Sequence, residues 1–193
     1  MELRSRAAPI ARVMSGSLKR QRDTAGVLAD TMGYDITIDK RWNEYDADDI
    51  LWHHSTRPPQ SDHGAARAAA LDTSRTFQEV LDRALRAWVA AGIAGPTRET
   101  WPAFAARCTD ALTEFGASLR AGETGIAVTS GGVIATISVS LLGLAPESLT
   151  AFNRVGVNCG LTKVVNGRRG DTLISFNEHT YLERGGSSLV TYR

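Results

Sequence analysis

Cysteine is nearly absent from this chain. Cys108 and Cys159 are the only two in 193 residues, too few for a disulfide scaffold, and neither has a second ligand at zinc spacing. Both are expected as buried thiols, Cys108 on the apolar face of a helix and Cys159 in a strand. An excess of charge is lacking as well. The 22 basic and 21 acidic residues leave a formal net charge of +1, which gives no reason to invoke a nucleic-acid or anionic-membrane partner. No stretch approaches the ~20 consecutive apolar residues of a membrane span, and the N-terminus has no long apolar core of a signal peptide, so the cytoplasm is the expected compartment. Lysine is scarce, at Lys19, Lys40 and Lys163 alone. The arginine and alanine bias fits a GC-rich bacterial genome more simply than any function. Internal repeats and a linker are also missing, so one domain over residues 1–193 is expected.

What the chain does have is enough apolar content, 42% hydrophobic against 22% charged, to bury one core. Val13 and Met14 end a strand, and a helix follows from Leu18 to a Gly33 C-cap, with Leu18, Ala25, Leu28 and Met32 on its buried face. Tyr34 to Asp39 alternates as a short strand and leads into a loop that carries Glu44. Asp46 to His63 holds Trp52, three histidines and Pro58-Pro59, and is expected to be irregular. Two strong helical stripes follow. Phe77, Val80, Leu81, Ala84, Leu85, Trp88 and Val89 form the first, before Gly92; Trp101, Phe104, Cys108, Leu112 and Phe115 belong to the second, capped by Thr100. Gly125 to Thr129 reads as a buried strand, Gly132 to Leu142 as a helix, and Pro146 as the start of a short one. Gly156 to Val165 and Asp171 to Phe176 flank Asn166-Gly167 as a final hairpin. Such alternation predicts an α/β layer fold.

Two turns in this pattern bear on chemistry. Ser15-Gly16 and Ser130-Gly131 each join the carboxyl end of a strand to a helix, where open α/β sheets gather ligands. A turn of that kind offers unpaired N–H groups and the positive end of the helix dipole to an anion, and Arg20 adds a guanidinium fork at the first. Small residues at one such turn are as consistent with tight packing and capping; two of them, with Arg20, point to a phosphate site.

The run Ser15-Gly-Ser-Leu-Lys-Arg-Gln-Arg-Asp-Thr-Ala25 resembles the second motif of the histidine phosphatase superfamily, Ser-Ser-x-Leu-x-Arg-x-x-x-Thr-Ala. Gly16 is the one substitution among its named positions. Gly125 to Ile134 is similar to that family's Val-Ser-His-Gly-Gly-Val-Ile region, with Ser130 standing where the second catalytic histidine usually stands. The resemblance implies a three-layer α/β sandwich with a mostly parallel central sheet, phosphoglycerate mutase-like, and a phosphomonoesterase acting on a small phosphorylated metabolite through a phosphohistidine. No Arg-His-Gly opens this chain; Met1 to Pro9 reads as the last turns of the helix that follows that motif's strand. The expectation is therefore an N-terminally shortened form, by a miscalled start codon or truncation, that lacks the first, central strand and is inactive as given. A phosphate-binding or partner-binding domain without catalysis is the rival.

On the same resemblance Arg20 clamps the phosphoryl group, Glu44 protonates the leaving alkoxide, and Ser130 hydrogen-bonds the phosphoryl oxygens, with Ser15, Gly16 and Gly131 lining the site. The Asp39 to Glu44 stretch carries that assignment, being similar to the family's Asp-x-x-Leu-x-Glu pattern; from the residues alone Glu44 is a solvated loop carboxylate. Ser130 is not expected to be a nucleophile, since Val128 stands two residues before it and no Gly-x-Ser-x-Gly elbow is encoded. His53, His54 and His63 with Asp46, Asp48, Asp49 and Asp62 match no metal-ligand spacing and suit a role in substrate choice. No metal or other cofactor is expected. His179 resembles the family's C-terminal Asn-x-x-His neighbourhood and is equally a structural histidine near the last strand. Substrate identity and oligomeric state are not encoded legibly.

Overall fold

A computed structural model describes residues 9–55 and 74–192. In chain order the elements are β1 (Ile10–Ser15), α1 (Lys19–Met32), β2 (Ile36–Ile38), α2 (Ala47–His54), α3 (Ser74–Ala91), α4 (Trp101–Ala117), β3 (Thr124–Val128) and α5 (Gly131–Leu141). They continue with α6 (Leu149–Arg154), β4 (Leu161–Gly167), β5 (Gly170–Glu178) and α7 (Thr180–Gly185). Two compact units divide them, Met1–Glu44 with Arg107–Arg193, and Tyr45–Ala106.

In the first unit β1 lies between β2 and β3, parallel to both. Val13 pairs with Ile36 on one side and Ile126 on the other, and Ser15 with Ile38 and Val128. This in-register ending brings three strand-to-turn junctions to one carboxyl edge. Backbone bonds extend it: the Gly16 N–H donates to Val128 O at 3.1 Å, and the Asp39 N–H to Ser15 O at 2.9 Å. α1 packs along the strands through Ala25, which is fully buried. It ends at Gly33, whose φ of 74° only glycine adopts freely and whose N–H reaches Ala29 O. α5 buries Val133, Ala135, Ile137 and Val139 together with Thr136 and Ser138. The two hydroxyls donate to Gly132 O and Ile134 O, so a helix apolar on nearly all sides carries no orphaned side-chain donor there.

A mixed α/β architecture with a parallel sheet flanked by helices is thus as expected. β4 and β5 pair antiparallel in a separate two-stranded sheet, and among the described residues β3 pairs with β1 alone. The hairpin is shifted from its expected limits. Residues 155–160 turn before β4, Cys159 has a φ of 64° and is exposed, and the expectation of a buried strand thiol fails there. Cys108 is buried, as expected.

The second unit contains α2, α3 and the start of α4. Trp88, 1% exposed, meets Trp101 edge-on and Phe104 at a tilt, each with ring centroids 5.5 Å apart; Tyr45 closes the cluster. The Trp88 Nε1–H donates to Thr97 Oγ1 and Glu99 O, both at 3.0 Å, so the indole is buried without losing its hydrogen bond. Where an irregular segment was expected from Asp46, α2 forms instead, because the Asp46 carboxylate accepts from the Asp49 N–H as its N-cap. Pro58, Pro59, Asp62 and His63 lie outside the described residues.

Phe104→Ala should destabilise the protein by ~3–5 kcal/mol in chemical unfolding, the usual cost of truncating a buried aromatic. Val27→Ala, at a side chain 63% exposed on α1, should stay within ~0.5 kcal/mol. Similar losses for the two would contradict the placement of this core.

Candidate functional site

Turns after β1, β2 and β3 converge at the carboxyl edge of the parallel sheet, and side-chain amides knit them together. Ser15 is fully buried, and its hydroxyl donates to Gly16 O at 2.9 Å. The Ser17 N–H donates to Asn43 Oδ1 at 2.7 Å and the Leu18 N–H to Gln21 Oε1 at 3.3 Å. The Gly16 N–H is likewise engaged, on Val128 O. Ser15 and Gly16 build the turn from inside.

Gln21 is the residue the sequence did not announce. It is 2% exposed, and its Nε2 donates to Trp42 O and to Ser130 Oγ, both at 2.9 Å. Gly16 makes room for it: a Cβ there would stand 2.6 Å from Gln21 Cδ and 2.8 Å from Asn43 Oδ1. That glycine, a departure from the motif it otherwise matches, was the available signal.

Arg20, one residue earlier on α1, is exposed and donates from Nε to Ser130 Oγ at 3.3 Å. No carboxylate pairs with its guanidinium among the described residues. Ser130 is 8% exposed, immediately before α5, and Gly131 opens that helix in a half-buried position. The structure therefore brings Arg20 and Ser130 together across 110 residues of sequence.

Glu44 reaches the same helix start. Its Oε2 accepts from the Gly132 N–H at 3.2 Å, and the residue is 8% exposed, so it is no solvated loop carboxylate. The loop leading to it is tightly made. Asp39 accepts from the Arg41 N–H at 2.8 Å and from Arg41 Nε and Nη2 at 3.0 and 2.8 Å, which caps a 3-10 turn at Lys40–Trp42. This hydrogen bonding by Arg41 holds the Asp39 carboxyl below its ordinary range. Arg107 Nη1 then donates to Arg41 O and Asn43 O at 2.8 and 2.9 Å, and Trp42 packs edge-on against Phe115.

Other candidates are engaged elsewhere. His179, just after β5, has Nδ1 2.6 Å from Asn177 O and Nε2 3.5 Å from Glu183. In the second unit His53 Nε2 lies 3.6 Å from Asp49 Oδ1, and burial together with neighbouring His53 lowers the basicity of His54. No group of three or more His, Cys, Asp or Glu could hold a metal ion among the described residues, and no helix there is long and apolar enough to cross a membrane.

Comparison with known proteins decides the family. The model of the histidine phosphatase superfamily (branch 1) matches residues 2–179. The chain belongs to the histidine phosphatase superfamily. No curated protein sequence matches it. Among solved structures it is similar to a mycobacterial glucosyl-3-phosphoglycerate phosphatase in complex with inorganic phosphate, at 22% identity over 91% of this chain and 80% of that one, with a TM-score of 0.57. A phosphoserine phosphatase mutant from Entamoeba histolytica in complex with phosphoserine gives 16% identity, 91% and 76% coverage and a TM-score of 0.59. A putative alpha-ribazole-5'-P phosphatase from Escherichia coli gives 15%, 90%, 76% and 0.56. At these identities the likeness concerns the fold.

Asp39→Asn should destabilise the protein by ~1–2 kcal/mol at neutral pH, through weaker bonds to Arg41. Because the folded carboxyl titrates below its ordinary 3.8, this contribution is present above that value and is lost as pH falls through the lower, folded one. The gap between wild type and variant in chemical unfolding should therefore narrow as the pH falls below 3.8. A gap independent of pH would contradict the assignment.

Proposed function

We propose that this histidine phosphatase superfamily chain holds the phosphoryl group of a small phosphorylated metabolite between the first turn of α1 and the start of α5. One observation carries this most: Arg20 and Ser130, remote in sequence, share a hydrogen bond at the edge where the parallel strands end. With Nε committed to Ser130, Arg20 keeps its two Nη groups for an anion, the bidentate fork best matched to phosphate oxygens. Ser130 contributes its hydroxyl, and Gly131 an N–H in the first helical turn, where no intrahelical partner exists. Ser15 and Gly16 support these groups from beneath.

Glu44, on the adjacent N–H of Gly132, is the group we assign to the leaving alkoxide as proton donor. Covalent transfer in a phosphatase of this type needs a histidine nucleophile, and no residue of the two matched motifs supplies one. We infer that the chain as given binds phosphate and does not turn a phosphate ester over. Ser130 favours this binding role: a neutral hydroxyl hydrogen-bonds an anion but brings no positive charge to the transferring group. Structural neighbours in complex with inorganic phosphate and with phosphoserine support the ligand class.

Purified protein should hydrolyse an aryl phosphate at background rate, while calorimetry detects binding of inorganic phosphate or orthovanadate. Arg20→Ala should weaken that binding by ~1.5–3 kcal/mol, the worth of a charge-assisted hydrogen bond. Steady turnover abolished by Arg20→Ala would restore a complete enzyme; equal affinities for wild type and variant would remove the site.

A further inference from the structure

We propose that Gln21 is the positioning residue of the phosphate site, fixing the Ser130 hydroxyl as a hydrogen-bond donor toward the bound phosphoryl group; this rests on the phosphate-binding reading above. The carboxamide has only one workable orientation. Leu18 N–H is a donor and must face Oε1; Trp42 O is an acceptor and must face Nε2. Reversing the amide would set donor against donor at the half-buried Leu18 N–H and acceptor against acceptor at the buried Trp42 carbonyl. Nε2 is therefore the end that lies 2.9 Å from Ser130 Oγ, and Ser130 must accept there.

Arg20 Nε, also a donor by nature, takes a second acceptor position on the same oxygen at 3.3 Å. A serine hydroxyl has two lone pairs and one hydrogen. With both lone pairs engaged, its hydrogen must point to a third partner, and no residue among those described accepts it. An anion carried by the Nη groups of Arg20 is that partner: its unprotonated oxygens are acceptors. Were Gln21 apolar, the Ser130 hydrogen would be free to rotate among several directions, and part of its bond to the ligand would be lost as rotor entropy. Gly16 belongs to the same device, since a side chain there would take the space of the carboxamide.

A double-mutant cycle with inorganic phosphate as the probe tests this in the full chain. Gln21→Met, similar in size and without donors, should weaken phosphate binding roughly five- to tenfold when Ser130 is present, and less than about twofold in a Ser130→Ala background. Equal losses in both backgrounds would assign Gln21 to the turn alone and overturn the proposal, as would no loss in either. Absence of phosphate binding by the wild type would remove the site itself and the proposal with it. If Gln21→Met does not unfold cooperatively, NMR of the unsubstituted carboxamide replaces it. The Gln21 side-chain N–H resonances should shift as phosphate is titrated into wild type. Resonances that stay fixed while phosphate binds would overturn the proposal.

Discussion

One buried carboxamide ties three strand ends into a single surface. Gln21 bonds to Leu18 in the turn after β1, to Trp42 in the turn after β2 and to Ser130 in the turn after β3. The parallel sheet brings these turns near one another, but pairing ends at Ser15, Ile38 and Val128. Past those residues single backbone bonds, Gly16 N–H to Val128 O and Asp39 N–H to Ser15 O, are what continue the pairing. Each unmade bond at a group as buried as this one would cost about 1–3 kcal/mol, so the carboxamide holds the turns in one arrangement rather than several.

Electrostatics divide around that anchor. Arg41 and Arg107 are spent on structure, one on Asp39 and Glu114 and the other on the carbonyls of Arg41 and Asn43. Their work fixes the loop that delivers Glu44 to the first turn of α5. Arg20 is different: exposed, bonded through Nε to a neutral hydroxyl, and opposed by no carboxylate among the described residues. An exposed guanidinium beside a helix start suits the anion-binding role proposed for it, and Glu44 sits on the neighbouring Gly132 N–H.

Much of this was legible in the sequence. The helical stripes through Phe104 and Trp88 announced themselves by period, and Arg20 and Ser130 by their spacing within motifs. The rest was hidden for physical reasons. Gln21 sits among Lys19, Arg20, Arg22 and Asp23, a context that reads as a solvated face; its burial follows from the turns closing over it, a tertiary event. α2 was concealed by its own polar composition, since Asp46, Asp48, Asp49, His53 and His54 look like a loop until the Asp46 cap is seen. Glu44 looked exposed for the same reason, because burial by a helix start far along the chain leaves no local trace. Cys159 was misplaced because the apolar pattern of the hairpin begins before its hydrogen bonds do.

The most direct measurement is a structure of this chain with orthovanadate. The anion should lie between the Nη groups of Arg20 and the Ser130 hydroxyl, with Gln21 Nε2 still on Ser130 and the Gly131 N–H directed at it. An anion bound elsewhere, or one that Arg20 does not touch, would contradict the account.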